Sequence, residues 1–327
     1  MNAKSNVFKA RSLAFVLLLC FTASVSAQVY PSKPVKIVVG MAAGGGNDIV
    51  ARMLGTKIAE LSKQAVLIEN RPGAGGTIAP TFVTNATPDG YTVLFISASQ
   101  VLAANLYDKL PYNLATDLEA VTQLTASPVI LVISPKLPVK TVRDLIALAK
   151  AQPGKLNFAS AGEASSTHIA MELFKSMTGT NLVHVPYKGQ APSLVDLIAG
   201  RVDVSFAGLV QALPIVRDGR FRALAVTGSK RFPAAPDIPT VAEAGVPGFE
   251  VLTWHGVLAP AKTPKDVVGR IHAEFHRALN LPDIRKSLEA DGTEVVGSSP
   301  AEFEKFLKLE VEKWGKVIKD AKIKLTE

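Results

Sequence analysis

Two stretches of small residues stand where an apolar run gives way to a helical pattern, and both could grip an anion. The first is Val39-Gly40-Met41-Ala42-Ala43-Gly44-Gly45-Gly46-Asn47-Asp48. The second is Phe158-Ala159-Ser160-Ala161-Gly162-Glu163-Ala164-Ser165-Ser166-Thr167-His168. A helix N-terminus presents unpaired N–H groups and about half a positive charge, so it attracts an anion without a basic side chain. Glycine lets the anion come close, and Ser165, Ser166 and Thr167 add hydroxyls. A Walker loop, G-x-x-x-x-G-K-[ST], is excluded because Asn47-Asp48 follows the glycines. The dinucleotide pattern G-x-G-x-x-G fails as well, since Ile49 stands where its third glycine belongs. The bare alternative is a tight strand-to-helix turn that holds nothing.

Other constellations offer different chemistry. Ser165 or Ser166 with His168 suggests a nucleophile and its base, yet no G-x-S-x-G elbow is present and neighbours on one helical turn rarely align as a triad. His272 and His276 fall on one helix face, but Ala273 stands where a zinc protease carries its glutamate. His184, Tyr187 and Lys188 in "HVPYKG" could meet an acid, or equally end a strand in solvent. Trp254 and Trp314 read as core or interface anchors.

The elements that must position these residues alternate between strand-like and helical runs, which predicts an α/β architecture with mainly parallel sheets. Val35 to Val39 reads as a buried strand, and Ile49, Val50, Met53, Leu54, Ile58 and Leu61 recur at helical spacing after an N-cap at Asn47 or Asp48. Strands follow at 65–69 and 91–96. The pattern reopens with a strand at 129–134 and a helix through Ala149, capped by Thr141 and Asp144. Further strands are expected at 156–160, 183–185, 202–206, 223–226 and 251–258, with helices at about 166–177, 267–279, 282–290 and 300–322.

Lys4, Lys9 and Arg11, an apolar run through Phe21, and Val25-Ser26-Ala27 form a basic region, a short hydrophobic core and a small-residue cleavage site. Residues 1–27 therefore read as a cleaved secretory signal; the apolar run is too short to span a bilayer, which takes about 20 residues. Its removal takes away Cys20, the only cysteine, so disulfide and thiol chemistry are excluded from the exported chain. Loss of Lys4, Lys9 and Arg11 lowers the net charge from +8 to +5. That excess suits small anions. It is too scattered for nucleic acid, and only 6% of residues are aromatic, which leaves no stacking platform.

The sequence also resembles the extracytoplasmic solute-binding proteins of the tripartite tricarboxylate transporter group, the Bug or TctC family. The resemblance is carried in order by "YPSKPVKIVVGMAAGGGNDIVARML", "IENRPGAGGTIAP", "TPDGYTVLF", "LNFASAGEASSTHIAMELF", "HVPYKGQAPSLVDLIAGRVDVSFAG", "RALAVTGSKRFPAAPDIPTVAEAGVPGFE" and "WHGVLAPAKTPKDVV". It implies a two-domain periplasmic binding protein of Venus-flytrap, type II-like form, with crossing strands as the hinge. Domain 1 would comprise residues 28–128 with 253–327, and domain 2 residues 129–252. The implied function is capture of a small carboxylate in the periplasm and delivery to membrane permease subunits, by a monomer with no cofactor and no metal. Carried over to this sequence, the ligand-binding positions are Gly44, Gly45, Gly46 and Asp48; Ser97; Ser160, Ala161, Gly162, Ser165, Ser166 and His168; Tyr187 and Lys188; and the turn at Ala207-Gly208.

Two departures bear on the ligand. Met41-Ala42-Ala43 replaces the family's aromatic or proline-rich lead into the glycines, and Ala207 stands where many members carry aspartate. The missing acid disfavours an amino-acid ligand and leaves room for a bulkier or more apolar acid. Two other classes fit the same residues: an exported serine hydrolase using Ser165 or Ser166 with His168, and a receptor that signals to a membrane partner.

Overall fold

The structure is a computed structural model that describes residues 30–320 apart from 74, 75, 108, 164, 188 and 291. The expected signal and Lys188 lie outside the described residues. Among those described, no helix is long and apolar enough to cross a membrane.

The apolar run Val35–Val39 forms β1, which pairs in parallel with β2 (Val66–Asn70) on one side and β3 (Thr92–Ser97) on the other. Helix α1 (Gly46–Ser62) connects β1 to β2 and buries Ala51, Leu54, Gly55 and Ile58 along one stripe. It is capped by Gly45, one turn earlier than Asp48 would place it. Asp48 lies in the first turn and reaches back to accept from the Gly44 N–H at 2.8 Å. Helix α2 (Ile78–Thr84) leads to β3, and α3 (Ala98–Leu106) follows it directly.

The sequence pattern predicts a strand opening at Val129. The observed strand, β4 (Leu118–Ile133), is 16 residues long and starts well before it. Buried Thr122 and Thr125 break the apolar run that marks a buried strand, and each has its hydroxyl satisfied: Thr122 donates to the Ser298 carbonyl at 2.8 Å and Thr125 meets His255 at 2.8 Å. From Leu118 to Pro128 this strand pairs antiparallel with β9 (Leu252–Pro260). From Val129 onward it pairs with β7 (Val204–Gly208) and β8 (Arg222–Val226). One strand thereby joins two sheets. The first runs β2-β1-β3-β9-β4, with the short β10 (Glu294–Val295) added to β4; in the second, β4 is flanked by β8 and β7, followed by β5 (Asn157–Ser160) and β6 (Val183–Pro186).

Helix α4 (Val142–Ala151) carries the expected capping box, Thr141 accepting from the Asp144 N–H and Asp144 accepting in return. Helices α5 (Ser166–Thr178), α6 (Gln190–Ala199) and α7 (Leu209–Arg217) follow β5, β6 and β7. Helices α8 (Lys265–Leu279), α9 (Pro282–Ala290) and α10 (Pro300–Asp320) are the last three among the described residues. Open α/β sheets bind ligands outside the carboxyl ends of their strands. Here that edge is where β1 and β3 turn into α1 and α3, and where β5, β6 and β7 turn into α5, α6 and α7.

Candidate ligand-binding site

Where β4 passes from one sheet to the other lies a cavity of about 230 Å³. Three helices begin at its wall: α5 contributes Ser166 and Thr167, α6 contributes Gln190, and α7 contributes Leu209 and Gln211 with the preceding Gly208. The floor is Ser127, Pro128 and Val129 of β4 and Thr253 of β9, with Ala161 and Thr293 at the margins. None of these residues carries a charge. Helices α6 and α7 are capped by Gly189 and Gly208, which offer their first N–H groups no side-chain acceptor. Away from the cavity, α4 and α10 spend capping boxes on theirs, Thr141 with Asp144 and Ser299 with Glu302. The uncapped amides of α6 and α7 lie beside the start of α5, where an anion would gain from three helix dipoles.

Under this wall the second loop is tied to itself. Ser165 donates to the Gly162 carbonyl at 2.6 Å and caps the His168 N–H at 3.3 Å. The Ala161 N–H donates to Thr167 Oγ1 at 3.0 Å. Fully buried Ser160 lies 2.7 Å from His184 Nε2. The His184 ring packs against both Phe158, 4.7 Å away, and His168, 3.9 Å away. Burial, the other imidazole and then Lys175 push His168 down to about 3, and burial followed by Lys175 pushes His184 down to about 4. Both rings are neutral supports at physiological pH.

The first loop is built differently. Gly44 sits at φ +81°, and Gly44, Gly45 and Gly46 are exposed. Asp48, only 2% exposed, accepts from the Gly44 N–H, from Arg52 Nε at 2.9 Å and from Asn70 Nδ2 at 2.9 Å. The Arg52 hydrogen bond is the largest cause that holds this carboxyl down to about 2. Asn47 Nδ2 donates to Ser97 Oγ at 3.0 Å, and its carbonyl oxygen lies 3.1 Å from His255 Nε2. In the strand register Ser97 stands opposite His255 and His255 opposite Thr125; Thr253 and Ser127 form the next such pair on the same face. Two residues of strand advance about 7 Å, so a polar ladder leads from the first loop to the cavity.

The cavity thus brings Ala161, Ser166 and Gly208 together, and the ladder connects them to Ser97 and the loop at Gly44–Gly46. Several of the expected positions have other partners in the structure. The Ala207 methyl is fully buried with Ile130, Ala159 and Leu194, because alternation along β7 turns it into the core; Gly208 is the residue that meets the cavity. Tyr187 directs its hydroxyl to Asp196 at 2.7 Å. Asp48, Ser160, Ser165 and His168 spend their side-chain polar atoms or rings on holding the loops. The Ser165 hydroxyl meets the His168 backbone N–H, and the His168 imidazole is stacked on that of His184. His272 is engaged with the Ser298 carbonyl at 3.1 Å. Sequence reasoning missed Thr125, Ser127, Thr253 and His255. Their signal was polar residues at every second position, Thr125 and Ser127 in β4 and Thr253 and His255 in β9.

The sequence model described as Tripartite tricarboxylate transporter family receptor, TctC, matches residues 50–323. The chain belongs to that family. Among TctC relatives, the UPF0065 protein in the tcbD-tcbE intergenic region of Pseudomonas sp. (strain P51) is 38% identical over 318 residues, 96% of this chain and 95% of that protein. The protein BugT of Bordetella pertussis is 34% identical over 313 residues, 95% of this chain and 96% of its own. Among solved structures, R. palustris Rpa4515 with adipate superposes with a TM-score of 0.79 at 36% identity, covering 90% of this chain and 99% of the other. MatC from Rhodopseudomonas palustris with bound malate gives 0.77 at 34%, covering 88% and 100%. The mixed α/β fold is that of periplasmic binding proteins, and TctC proteins are solute-binding receptors.

Proposed function

We propose that this chain captures a small carboxylate between two lobes in the periplasm, without chemical turnover, and hands it to membrane permease subunits. The lobes are residues 28–128 with 253–327, and residues 129–252, meeting where β4 changes partners at Pro128 and Val129. Residues 1–27 direct export and are removed, and the receptor acts as a monomer. The observation that carries the reading is the convergence of α5, α6 and α7 on one uncharged cavity. A carboxylate there accepts from backbone amides and from Ser166, and the exposed glycine cap of α1 offers its amides to a second polar group across the cleft. Closure of the lobes buries the acid, so ligand shifts the receptor toward its closed form.

The adipate and malate of the two neighbours support plain organic acids as the ligand class. The cavity lining contains no carboxylate to pair with an ammonium group, which sets amino acids apart. A thermal-shift screen of mono-, di- and tricarboxylates tests the proposal. Free ligand at a hundred times its Kd stabilises by about 2.7 kcal/mol, a readily measured rise in Tm. No response to any acid defeats the carboxylate reading. Turnover of an activated ester that disappears in Ser165→Ala or Ser166→Ala would defeat the receptor reading.

A further inference from the structure

The polar ladder has a fixed direction. The Ser97 backbone N–H donates to Gln100 Oε1 at 2.9 Å, so the Gln100 amide cannot flip; its Nε2 stays buried against Gly40, without a partner among the described residues. The same Oε1 lies 2.8 Å from Ser97 Oγ, and a carbonyl oxygen only accepts, so Ser97 spends its proton there. Ser97 Oγ must then accept from Asn47, which turns the Asn47 NH₂ toward Ser97 and its carbonyl oxygen toward His255. His255 Nε2 must therefore carry a proton, and its bare Nδ1 accepts from Thr125. One backbone N–H sets the polarity of five residues.

We propose that His255, as the neutral Nε2–H tautomer, is the positioning residue that locks Asn47, and with it the first turn of α1, onto the paired strands β4 and β9. Asn47 is the second residue of a helix whose glycine cap supplies no side-chain acceptor, so nothing in the cap itself fixes the direction of its amides. His255 lies on β9 opposite both Ser97 and Thr125, at the base of the strand that crosses between the sheets. Phe95 packs 5.3 Å from its ring and limits rotation. Burial keeps the imidazole neutral, down to about 4. The inference rests on the preceding reading only for what the α1 amides bind, and its test is read without ligand.

The full chain without ligand is examined by nitrogen-15 NMR at pH 7. A protonated Nε2 and bare Nδ1 at His255 are expected; an Nδ1–H tautomer or an imidazolium overturns the proposal. Hydrogen exchange is then followed in His255→Phe and His255→Gln. Gln keeps a donor near the Nε2 position, whereas Phe keeps only the ring. In the Phe variant the first exchange-protected amides of α1, from Ile49 onward, should open roughly fivefold to tenfold faster, the ratio one lost hydrogen bond gives. Those of α10 should not change, and the Gln variant should stay near the parent. Equal acceleration along the whole chain, or none in α1, overturns the proposal.

Discussion

The imidazole of His168 lies 3.9 Å from that of His184, with the two planes 5° from parallel. Two rings so placed cannot both be charged, and Lys175 adds to the penalty that burial sets first. Both imidazoles are held below their ordinary value of 6.5, to about 3 and about 4. The unfolded chain therefore takes up protons first. The stability contributed by the neutral pair is complete above about pH 6.5, falls as pH drops below it, and levels off once the folded-state values are passed. The slope for each histidine approaches 1.4 kcal/mol per pH unit, by about the usual linkage relation. Urea unfolding at pH 7.5, 5.5 and 4.5 should show midpoints falling in that order, with a shallower fall in His184→Gln. Equal midpoints at pH 7.5 and 4.5 would defeat the prediction.

Gly44 and Gly162 share a positive φ, +81° and +130°, but differ in the room around them. A Cβ on Gly44 meets nothing within 4 Å, whereas one on Gly162 comes within 3.0 Å of the Tyr187 carbonyl oxygen. Gly44→Ala should cost only its backbone strain, about 1–2 kcal/mol. Gly162→Ala should cost more, because the loop must also move away from β6. Gly46 has neither a positive φ nor a close neighbour, so Gly46→Ala should stay within about 0.5 kcal/mol of the parent. Chemical denaturation of the three variants checks the ranking; Gly46→Ala as the most damaging would reverse the argument.

The two loops were legible in the sequence because small residues between an apolar strand and a helical pattern have few other uses. Their partners were not. Thr125, Ser127, Thr253 and His255 line up only through the register of β4 with β9, a pairing between segments more than a hundred residues apart. The same distance hid the start of β4, since polar residues inside a buried strand look like its end until their partners are known. The place of Ala207 was hidden for another reason. Its place in the sequence marks the turn after β7, but the strand's alternation gives the cavity to Gly208 and the core to Ala207. Asp48 read as a ligand contact because an acid near a glycine loop is conspicuous; Arg52 engages it from one helical turn on and Asn70 from the end of β2, 22 residues away.

Buried Glu310 accepts from two indoles with one oxygen, Trp254 Nε1 and Trp314 Nε1 each at 2.9 Å. That joins α10 to β9 next to the crossing strands. Glu310→Ala leaves two buried donors unpaired and should cost about 3 kcal/mol, whereas Glu310→Gln keeps an acceptor and should cost about 1 kcal/mol. Both tryptophans report the change directly. Fluorescence emission should shift to the red in the alanine variant and stay near the parent in the glutamine variant. Identical spectra and midpoints for all three proteins would mean that the indoles find other partners.

Asp48 has a different acid signature from the histidines. Its carboxyl is held down to about 2 from an ordinary 3.8, by the Arg52 hydrogen bond first, with contributions from the Gly44 N–H and Asn70. The stability it contributes is complete above about pH 4 and is lost as pH falls toward 2, below most of the histidine window. Asp48→Asn removes the charge, and its NH₂ would face either the Gly44 N–H and Arg52 or the Asn70 amide, so one donor always meets another. Asp48→Asn and Asp48→Ala should each cost about 2 kcal/mol at pH 7. Both should loosen the first loop while leaving the second, which makes no contact with this carboxylate. Hydrogen exchange resolved by residue separates the two: faster opening confined to the first turn of α1 and the end of β2 is expected. Equal acceleration in the first turn of α5 would show that Asp48 supports the fold at large, and the local assignment would fail.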